Sequence, residues 1–398
     1  MANTLKFGNG QWATKVGSTL AYNDEGGNFK PLPFNFTRST SGTRVNKDGL
    51  IEVVTNNKPR IDFKDDSNGA LLLEPSRSNI NTFSDPTDAQ KGSLSYASVT
   101  YQDNFNWGLG NVIENAIVFG DNSTTRYAYY SSAVSSGASY SLSFFVKMDD
   151  NSVPIPATDF LLVLAGTSIA SGYTIDNYGN NVYRVSVSGT AGASNTANGI
   201  LKVASHSAKT FKISGFQIEA GSYATSYIPT QGATATRVAE VCIDAGNNQV
   251  INSTEGVLFA EIKPITDDYI NDAGTVISSQ FNLSDGNLNN GVNIRFRKTV
   301  LQCLYYNGSA YEAVLTYTDI SVSETYKVAF LYKQNDFKMY VNGVLIASDT
   351  NGSIGSFTLD RLTFDNSNGV NPFYGNVKDL RVYNTALTDQ ELINLTTI

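Results

Sequence analysis

The sequence predicts an all-β fold of two consecutive antiparallel β-sandwiches, preceded by a short β-rich N-terminal region. Three observations support this fold class. Apolar and polar residues alternate along most of the 398-residue chain, which is the period of half-buried strands. The chain has 22 tyrosines and 21 phenylalanines but only 3 methionines, a mixture that favours strands. A helix start signal is recognisable only close to the C-terminus.

The middle of the chain shows the alternation directly. Residues 139–146 (SYSLSFFV) place apolar side chains at the even positions and mostly polar ones at the odd positions. Residues 183–188 (YRVSVS) and 211–214 (FKIS) repeat the pattern. We expect three strands here, each with one face in a core and a mostly polar face directed away from it.

A three-stranded meander is predicted near the C-terminus. Residues 328–341 contain two alternating runs, separated by a polar turn at residues 334–336. Asn342-Gly343 follows, and this dipeptide is a strong hairpin signal because both turn positions need a positive φ. A third strand would continue through Ile346.

One short helix is predicted to follow the meander. Thr388 and Glu391 have the spacing of a capping box, in which each side chain satisfies a backbone N–H of the first turn. Leu387, Leu392 and Leu395 can share one side of this helix. We therefore expect a terminal helix packed on a sheet.

Two polar, turn-rich stretches suggest domain boundaries. They lie at residues 79–86 and 229–237. They divide the chain into an N-terminal region (1–80), a middle domain (81–232) and a C-terminal domain (238–398). The first region is too short and too polar to be an independent domain, so it would depend on neighbours for burial.

Charge and hydropathy exclude two classes of partner. The chain has 28 basic and 36 acidic residues, and the net charge of -8 disfavours general nucleic-acid binding. The longest strongly apolar run, residues 160–166, is much shorter than the ~20 residues that span a bilayer, so no membrane insertion is expected. No export signal is recognisable, and we expect folding in a reducing compartment. Cys242 and Cys303 are predicted to be buried thiols in separate strands, with a single disulfide as the alternative.

No catalytic motif is recognisable. His206 is the only histidine that a Ser or Cys hydrolase could use as its base, and no G-x-S-x-G nucleophile elbow accompanies it. We interpret His206 as an exposed surface residue. Phosphate-binding glycine loops are also absent from the sequence.

Glycoside hydrolysis would need only two carboxylates that face one cleft. The candidate pairs are Asp149 with Asp150, Glu240 with Asp244, and Asp267 with Asp268. None has the alternate spacing of catalytic carboxylates on one strand, and we interpret them as solvated strand ends or turns. Convergence of carboxylates from distant strands stays open, but the prediction is that the chain is not an enzyme.

Calcium is the one ion that the sequence suggests. Oxygen-bearing side chains cluster in a C-terminal stretch, at Asp360, Asp365, Asn366 and Asn368. Such ligands suit a hard cation, although Asp and Asn are also the usual residues of tight turns. No other cofactor is predicted.

Aromatic side chains supply candidate sugar-binding residues. A flat ring offers an apolar plane to the C–H face of a pyranose, while polar neighbours bind its hydroxyls. The candidates are Trp107, Tyr305, Tyr306, Tyr311 and Tyr374. Core packing is the alternative for each of them. Alternation also places Arg295 and Arg297, in a short basic strip that ends at Lys298, on one face of a strand, which we interpret as solvated.

Several sequence blocks resemble those of tailed-bacteriophage virion proteins. They are FTRST (36–40), TRVNKDGLI (43–51), PRIDF (59–63) and LLLEPSRSN (71–79). FQIEAGSYATSYIPT (216–230) looks like the end of a jelly-roll module that resembles carbohydrate-binding modules. From about residue 238 onward, YVNG (340–343) and FYGNVKDLRVYN (373–384) are similar to laminin-G-like, concanavalin-A-like lectin domains.

The resemblance implies a phage fibre, tail-tip or head appendage, typically a homotrimer. It would fold in the cytoplasm of the host bacterium and act in the virion. Residues 1–80 would dock to other virion proteins, while the jelly roll (81–232) and the lectin-like sandwich (238–398) would bind a host-surface polysaccharide or receptor. No coiled-coil or β-helical stalk is recognisable, which favours a compact appendage or an adaptor that carries a receptor-binding head. A purely structural decorating protein and a polysaccharide depolymerase are the alternatives.

Overall fold

A computed structural model describes residues 3–20, 32–130, 132–194, 197–265, 279–297, 299–318, 320–322 and 324–398. Asp267, Asp268 and Lys298 lie outside these ranges. The first sixteen strands are β1 (Asn3–Gly8), β2 (Ala13–Lys15), β3 (Ser18–Leu20), β4 (Phe34–Thr37), β5 (Gly42–Val45), β6 (Ile51–Val54), β7 (Ile61–Asp62), β8 (Ala70–Leu73), β9 (Arg77–Asn79), β10 (Leu94–Ala97), β11 (Val99–Gln102), β12 (Ala116–Phe119), β13 (Arg126–Tyr130), β14 (Ser139–Met148), β15 (Leu161–Leu164) and β16 (Thr167–Ile169).

The remaining strands are β17 (Thr174–Asn177), β18 (Tyr183–Thr190), β19 (Asn198–Lys202), β20 (Phe211–Ala220), β21 (Ala235–Arg237), β22 (Val241–Ile243), β23 (Glu255–Pro264), β24 (Ser279–Ser284), β25 (Asn290–Arg297), β26 (Val300–Asn307), β27 (Tyr311–Thr318), β28 (Tyr326–Lys333), β29 (Phe337–Val341), β30 (Val344–Asp349), β31 (Arg361–Thr363) and β32 (Gly375–Tyr383). A 3-10 helix spans Asp88–Ser93, and α1 spans Asp389–Thr396. The all-β prediction is confirmed, as are the strands predicted around residues 140, 185 and 212.

The first of two compact units comprises Met1–Ser39, Thr55–Pro75 and Ala239–Ile398. Its larger sheet has the order β30-β29-β28-β23-β32-β8-β7, with β1 also paired to β32, and its smaller sheet has the order β27-β26-β25-β24-β31. One core contains apolar side chains of both sheets, such as Leu258 and Phe330 from the larger and Phe281 and Ile294 from the smaller. This arrangement is a β-sandwich. A small sheet, β2-β3-β4-β22, adds Phe36 to the same core.

The predicted meander and helix are both present in this unit. Asn342 and Gly343 have φ values of 51° and 81°, as a two-residue hairpin turn between β29 and β30 requires. Thr388 and Glu391 form the capping box of α1. Leu392 and Leu395 of this helix join a second cluster with Phe259 of β23, on the face of the larger sheet that points away from the main core. The helix therefore covers part of one outer face of the sandwich.

The second unit comprises Thr40–Val54 and Ser76–Val238. Its sheets have the orders β10-β13-β19-β15-β16 and β11-β12-β20-β14-β18-β17, and their facing sides share one core. We predicted that the mostly polar face of β14 points away from a core. This prediction is wrong, because Ser141 and Ser143 on that face are buried. Phe145 on that face packs in a further cluster with Ile51 and Trp107, so β14 is buried on both sides.

Residues 1–80 contribute strands to both units. β1 to β4, β7 and β8 belong to the first unit, whereas β5, β6 and β9 belong to the second. β9 pairs with β21, which lies in the stretch predicted as a linker. The docking role of residues 1–80 stays a prediction.

A fully buried charge network lies in the first unit and corrects one interpretation. Glu240 is only 2% exposed and is not a solvated strand end. Its Oε1 atom accepts hydrogen bonds from Arg38 Nη1 (3.0 Å) and Arg60 Nε (2.7 Å), and its Oε2 accepts one from the Glu74 backbone N–H (2.9 Å). Arg60 Nη2 also donates to Glu74 Oε2 at 2.7 Å. Two guanidinium groups and two carboxylates thus neutralise each other inside the unit.

His206 is also buried, contrary to the prediction of an exposed residue. It is 7% exposed, and its Nδ1 accepts a hydrogen bond from the Val203 backbone N–H at 3.1 Å. Burial, with a smaller effect of Lys202, lowers the pKa of this imidazole. His206 therefore stays neutral at pH 7 and helps to hold a turn. Across the described chain, no helix has the length and apolar character needed to cross a membrane.

Both cysteines are free and buried in separate strands, β22 and β26, as predicted. Burial raises the pKa of each thiol, so very little thiolate forms in the native protein. We expect a chromogenic disulfide reagent to label neither thiol in the native protein, and both after unfolding in guanidinium chloride. Fast labelling of the native protein would show that one of these strands opens readily.

Candidate ligand-binding face

The smaller sheet of the first unit has an open outer surface. In β25, Ile294 and Phe296 point into the core, so alternation directs Asn293, Arg295 and Arg297 outward. Together with the outward residues of β26 and β27 they form what we call the Arg295 face. Its members are Asn293, Arg295, Arg297, Gln302, Leu304, Tyr306, Tyr311, Val314 and Thr316.

A chain of hydrogen bonds crosses the middle of this face. Arg295, Gln302 and Thr316 lie opposite one another on three neighbouring strands. Arg295 Nε and Nη2 both donate to Gln302 Oε1, at 3.2 and 2.7 Å. Gln302 Nε2 in turn donates to Thr316 Oγ1 at 3.1 Å. The guanidinium is therefore held in place by neutral groups.

Two tyrosines lie at one end of the face. Tyr306 and Tyr311 pack edge to face with ring centroids 4.7 Å apart, and Tyr311 is 53% exposed. Tyr311 lies near enough to Arg295 to oppose the lowering of the pKa of its guanidinium, so the ring reaches toward the middle of the face. Leu304 points outward but is buried, which shows that neighbouring side chains cover it. The face thus combines exposed ring surface with hydrogen-bonding groups.

Among the residues that the structure describes, the Arg295 face has a positive charge. Glu312 is the only acidic residue in β25, β26 and β27, and its carboxylate accepts hydrogen bonds from Asn307 Nδ2 (2.6 Å) and the Ser353 backbone N–H (2.8 Å). No described carboxylate lies within ion-pairing distance of Arg295 or Arg297. Burial lowers the pKa of Arg295, an effect that Arg297 increases and Tyr311 opposes.

The predicted calcium ligands lie mostly in a loop beside the face. Residues 363–372 run over the outward side of β24, where Ser367 Oγ accepts a hydrogen bond from Asn282 Nδ2 at 2.7 Å. The buried carboxylate of Asp365 accepts hydrogen bonds from Thr363 Oγ1 (2.9 Å) and from the backbone N–H groups of Ser367 (2.7 Å) and Gly369 (3.0 Å). Asp365 therefore acts here as a turn-stabilising group.

The other predicted ligands also have partners within the protein. Asn366 and Asn368 both accept from the Val370 backbone N–H, at 3.1 and 3.3 Å. Asp360 is separate from them and pairs with Arg361 at 2.8 Å. Within the described ranges, no group of three or more His, Cys, Asp or Glu side chains is arranged to hold a metal ion. Calcium binding stays a prediction.

The structure separates the predicted sugar-binding aromatics. Trp107 is 1% exposed, and its Nε1 donates to the Asn115 carbonyl at 3.0 Å in the second unit. Tyr305 is fully buried in the core of the first unit, and its hydroxyl accepts from the Gly355 backbone N–H at 3.1 Å. Tyr374 packs against the same core. Buried rings offer no open plane to a sugar, so the prediction is wrong for Trp107 and Tyr305. Tyr374 is only partly buried, and its role stays a prediction. Tyr306 and Tyr311 are the pair brought together on a surface.

Arg295, Gln302 and Thr316 are not among the binding residues predicted from the sequence. Alternation placed Arg295 and Arg297 on one face, and the structure confirms this placement. The available signal was that Glu312 is the only acidic residue in the sequence from 290 to 318. This signal gains meaning only when the three strands are known to be neighbours.

A small cavity on the larger sheet of the first unit is a competing site. It has a volume of about 150 Å³, and its lining includes Asp65, Asp66, Lys263 and Lys378. Lys263 lies 3.7 Å from Asp65, and Lys378 lies 3.1 Å from Asp66. Burial would raise the pKa of Asp65, but Lys64 and Lys263 outweigh it and the pKa lies below its usual value. Lys263 and Lys378 are thus each paired with a carboxylate of the same cavity.

Comparisons with known proteins support the lectin-like part of the fold prediction. Residues 259–393 match the sequence model of a family described as the concanavalin A-like lectin/glucanases superfamily. No curated protein sequence matches the chain. Among solved structures, the sialidase carbohydrate-binding module of Ruminococcus gnavus bound to α2,3-sialyllactose is 18% identical, with 38% of this chain and 92% of that chain covered and a TM-score of 0.32. Domain 4 of an arabinanase from Geobacillus stearothermophilus is also 18% identical, covering 44% of this chain and 84% of that chain with a TM-score of 0.30.

Proposed function

We propose that the protein is a component of a bacteriophage particle that displays β-sandwiches for binding a glycan or receptor on the host surface. The blocks within residues 36–79 support the virion role, because they resemble those of phage appendage proteins. The lectin-superfamily match over residues 259–393 supports sugar binding. Residues 1–80 would dock to other virion proteins, and a homotrimer would present several copies of a weak site with high avidity.

The open Arg295 face is the observation that carries the binding proposal. α1 packs on the outer side of the larger sheet, whereas the Arg295 face presents exposed ring surface and hydrogen-bonding groups. Tyr311 offers an apolar plane for the C–H face of a sugar ring. Arg295, Gln302 and Asn293 offer donors and acceptors for its hydroxyl groups. Such a shallow, rigid surface on paired strands suits recognition of an extended polysaccharide.

Replacing Tyr311 with alanine is expected to weaken glycan binding about tenfold, which equals ~1.4 kcal/mol, because the stacking surface is lost. Binding would be measured for the full chain on a glycan array, followed by titration of the best ligand. Leu345→Ala is the matched control, since Leu345 is similarly exposed (45%) but belongs to β30 of the other sheet. Equal losses in the two variants would contradict the assignment of Tyr311 to the site.

The array also distinguishes the alternative functions. An absence of binding to every glycan and to host polysaccharide would favour a structural role in which the sandwiches pack against other virion proteins. New reducing ends released from host capsule would indicate a depolymerase. The virion location requires a separate experiment, in which intact phage particles are labelled with an antibody to this chain and imaged.

A further inference from the structure

We propose that the Arg295 face selects acidic polysaccharides and that Arg295 binds the carboxylate group of their uronic acid residues. This inference rests on the proposed function, because it names the ligand class of the same face. The proposed ligand is a polymer with repeated carboxylate groups.

The arginines of the first unit divide into two groups. Four of them have a carboxylate within ion-pairing distance: Arg38, Arg60, Arg361 and Arg381. Arg295 and Arg297, which have no such partner among the residues that the structure describes, are both on this face. In a chain with a net charge of -8, the described residues thus leave two neighbouring cations without an ion-pair partner on one open surface. Charge complementarity favours an anionic ligand there.

Arg295 is held in a geometry that suits a carboxylate. It is only partly exposed, and its hydrogen-bond acceptor, Gln302 Oε1, is a neutral oxygen. A neutral acceptor orients a guanidinium but does not compensate its charge. A guanidinium has five N–H donors, so some remain for a ligand after these contacts. A planar carboxylate can accept two of them side by side, which a hydroxyl cannot do.

The surroundings fit the rest of a uronic acid unit. Gln302 lies opposite Arg295 on the neighbouring strand, and Thr316 lies opposite Gln302 on the next one. The exposed guanidinium of Arg297 is two positions further along β25, so it can meet the carboxylate of a neighbouring sugar. Tyr311 supplies a ring beside Arg295. The face thus offers a cation, a ring and amide groups within one surface.

The test compares each acidic polymer with its own neutral form. Polygalacturonate and alginate would be titrated against the full-length protein, together with the same polymers after chemical reduction of their carboxyl groups to alcohols. We expect binding to at least one acidic polymer, and a loss of tenfold or more on carboxyl reduction. Arg295→Gln should cause a similar loss, and Arg295→Lys should restore part of it because the charge returns without the planar fork.

Lys333→Gln is the charge-matched control, because Lys333 lies on the larger sheet and pairs with Glu255 at 2.9 Å. It should bind as the wild type does. Arg297→Gln provides a second variant at an exposed position, where misfolding is not expected, and should weaken binding less than Arg295→Gln. Thermal unfolding of each variant checks that the fold is retained.

The binding results distinguish a failure of this inference from a failure of the proposed function. Equal binding of the acidic and the reduced polymers would overturn the inference and leave glycan binding intact. Equal losses in Arg295→Gln and Lys333→Gln would also overturn it, since general electrostatics would then explain the preference. A wild-type protein that binds neither form of either polymer but binds neutral glycans on the array would again refute only the inference. A protein that binds no glycan at all would refute the proposed function as well.

Discussion

Replacing Glu240 with alanine is expected to lower the free energy of unfolding of the first unit by about 3–5 kcal/mol. Glu240 Oε1 accepts hydrogen bonds from both Arg38 and Arg60, and the side chains of all three residues are inaccessible to solvent. Without this carboxylate, two buried guanidinium groups would share the single charge of Glu74. Water cannot replace the Glu240 carboxylate as their partner unless the strands packed around the two guanidinium groups separate.

Tryptophan fluorescence can report this loss for one unit at a time. The chain has two tryptophans, and Trp12 belongs to the first unit whereas Trp107 belongs to the second. Urea unfolding of Glu240→Ala would therefore be measured in a Trp107→Phe background, in which Trp12 is the only tryptophan. The midpoint of the Trp12 transition should shift strongly to lower urea.

Glu255→Ala is the control for removal of a carboxylate from an exposed ion pair. Glu255 pairs with Lys333 at 2.9 Å, and both side chains contact solvent. Exposed pairs of this kind contribute about 0–1 kcal/mol. If Glu240→Ala destabilised the first unit no more than Glu255→Ala does, the buried network would not be a main source of its stability.

This network marks one limit of prediction from the sequence. Arg38, Arg60 and Glu74 all lie in blocks that the sequence analysis singled out, but their shared partner Glu240 is 202 residues from Arg38. Alternation around Glu240 gave no sign that its side chain enters a closed interior. A carboxylate next to a strand is usually solvated, and only the tertiary fold shows that this one is not.

Features with local causes were predicted well. The Asn342-Gly343 turn, the meander and the capping box of α1 each depend on a few consecutive residues. Burial of whole faces was predicted less well, because it depends on which layer covers a sheet. Ser141 and Ser143 are buried under a cluster that contains Ile51 and Trp107, which lie far away in the chain.

In the candidate site, too, the local pattern was predicted from the sequence, but the burial of each face was not. Alternation correctly placed Arg295 and Arg297 on one face of β25. It could not indicate which of the two faces is open. The core between the sheets encloses Tyr305, whereas Tyr306 lies on the uncovered side. Sequence alone thus proposed five aromatic candidates, and packing excludes two of them, Trp107 and Tyr305.

Trp107→Ala is expected to destabilise the second unit by about 3–5 kcal/mol, the usual cost of truncating a large buried aromatic side chain. Its indole fills a cluster with Ile51, Phe145 and Tyr227, and alanine would also leave the Asn115 carbonyl without its Nε1 donor. Near-UV circular dichroism and amide hydrogen exchange would follow the second unit, since the variant lacks its tryptophan. Protection should fall in β14 and β20, whose sheet supports this cluster.

Tyr311→Ala separates a packing role from a binding role. Because Tyr311 is 53% exposed, its removal should change the stability of the first unit by about 0.5 kcal/mol or less while it weakens glycan binding. Trp107→Ala should show the opposite pattern, with lost stability and, below its unfolding temperature, unchanged binding at the Arg295 face. If the Trp107→Ala protein were as stable as the wild type but did not bind sugar, Trp107 would belong to the binding site and not to the core.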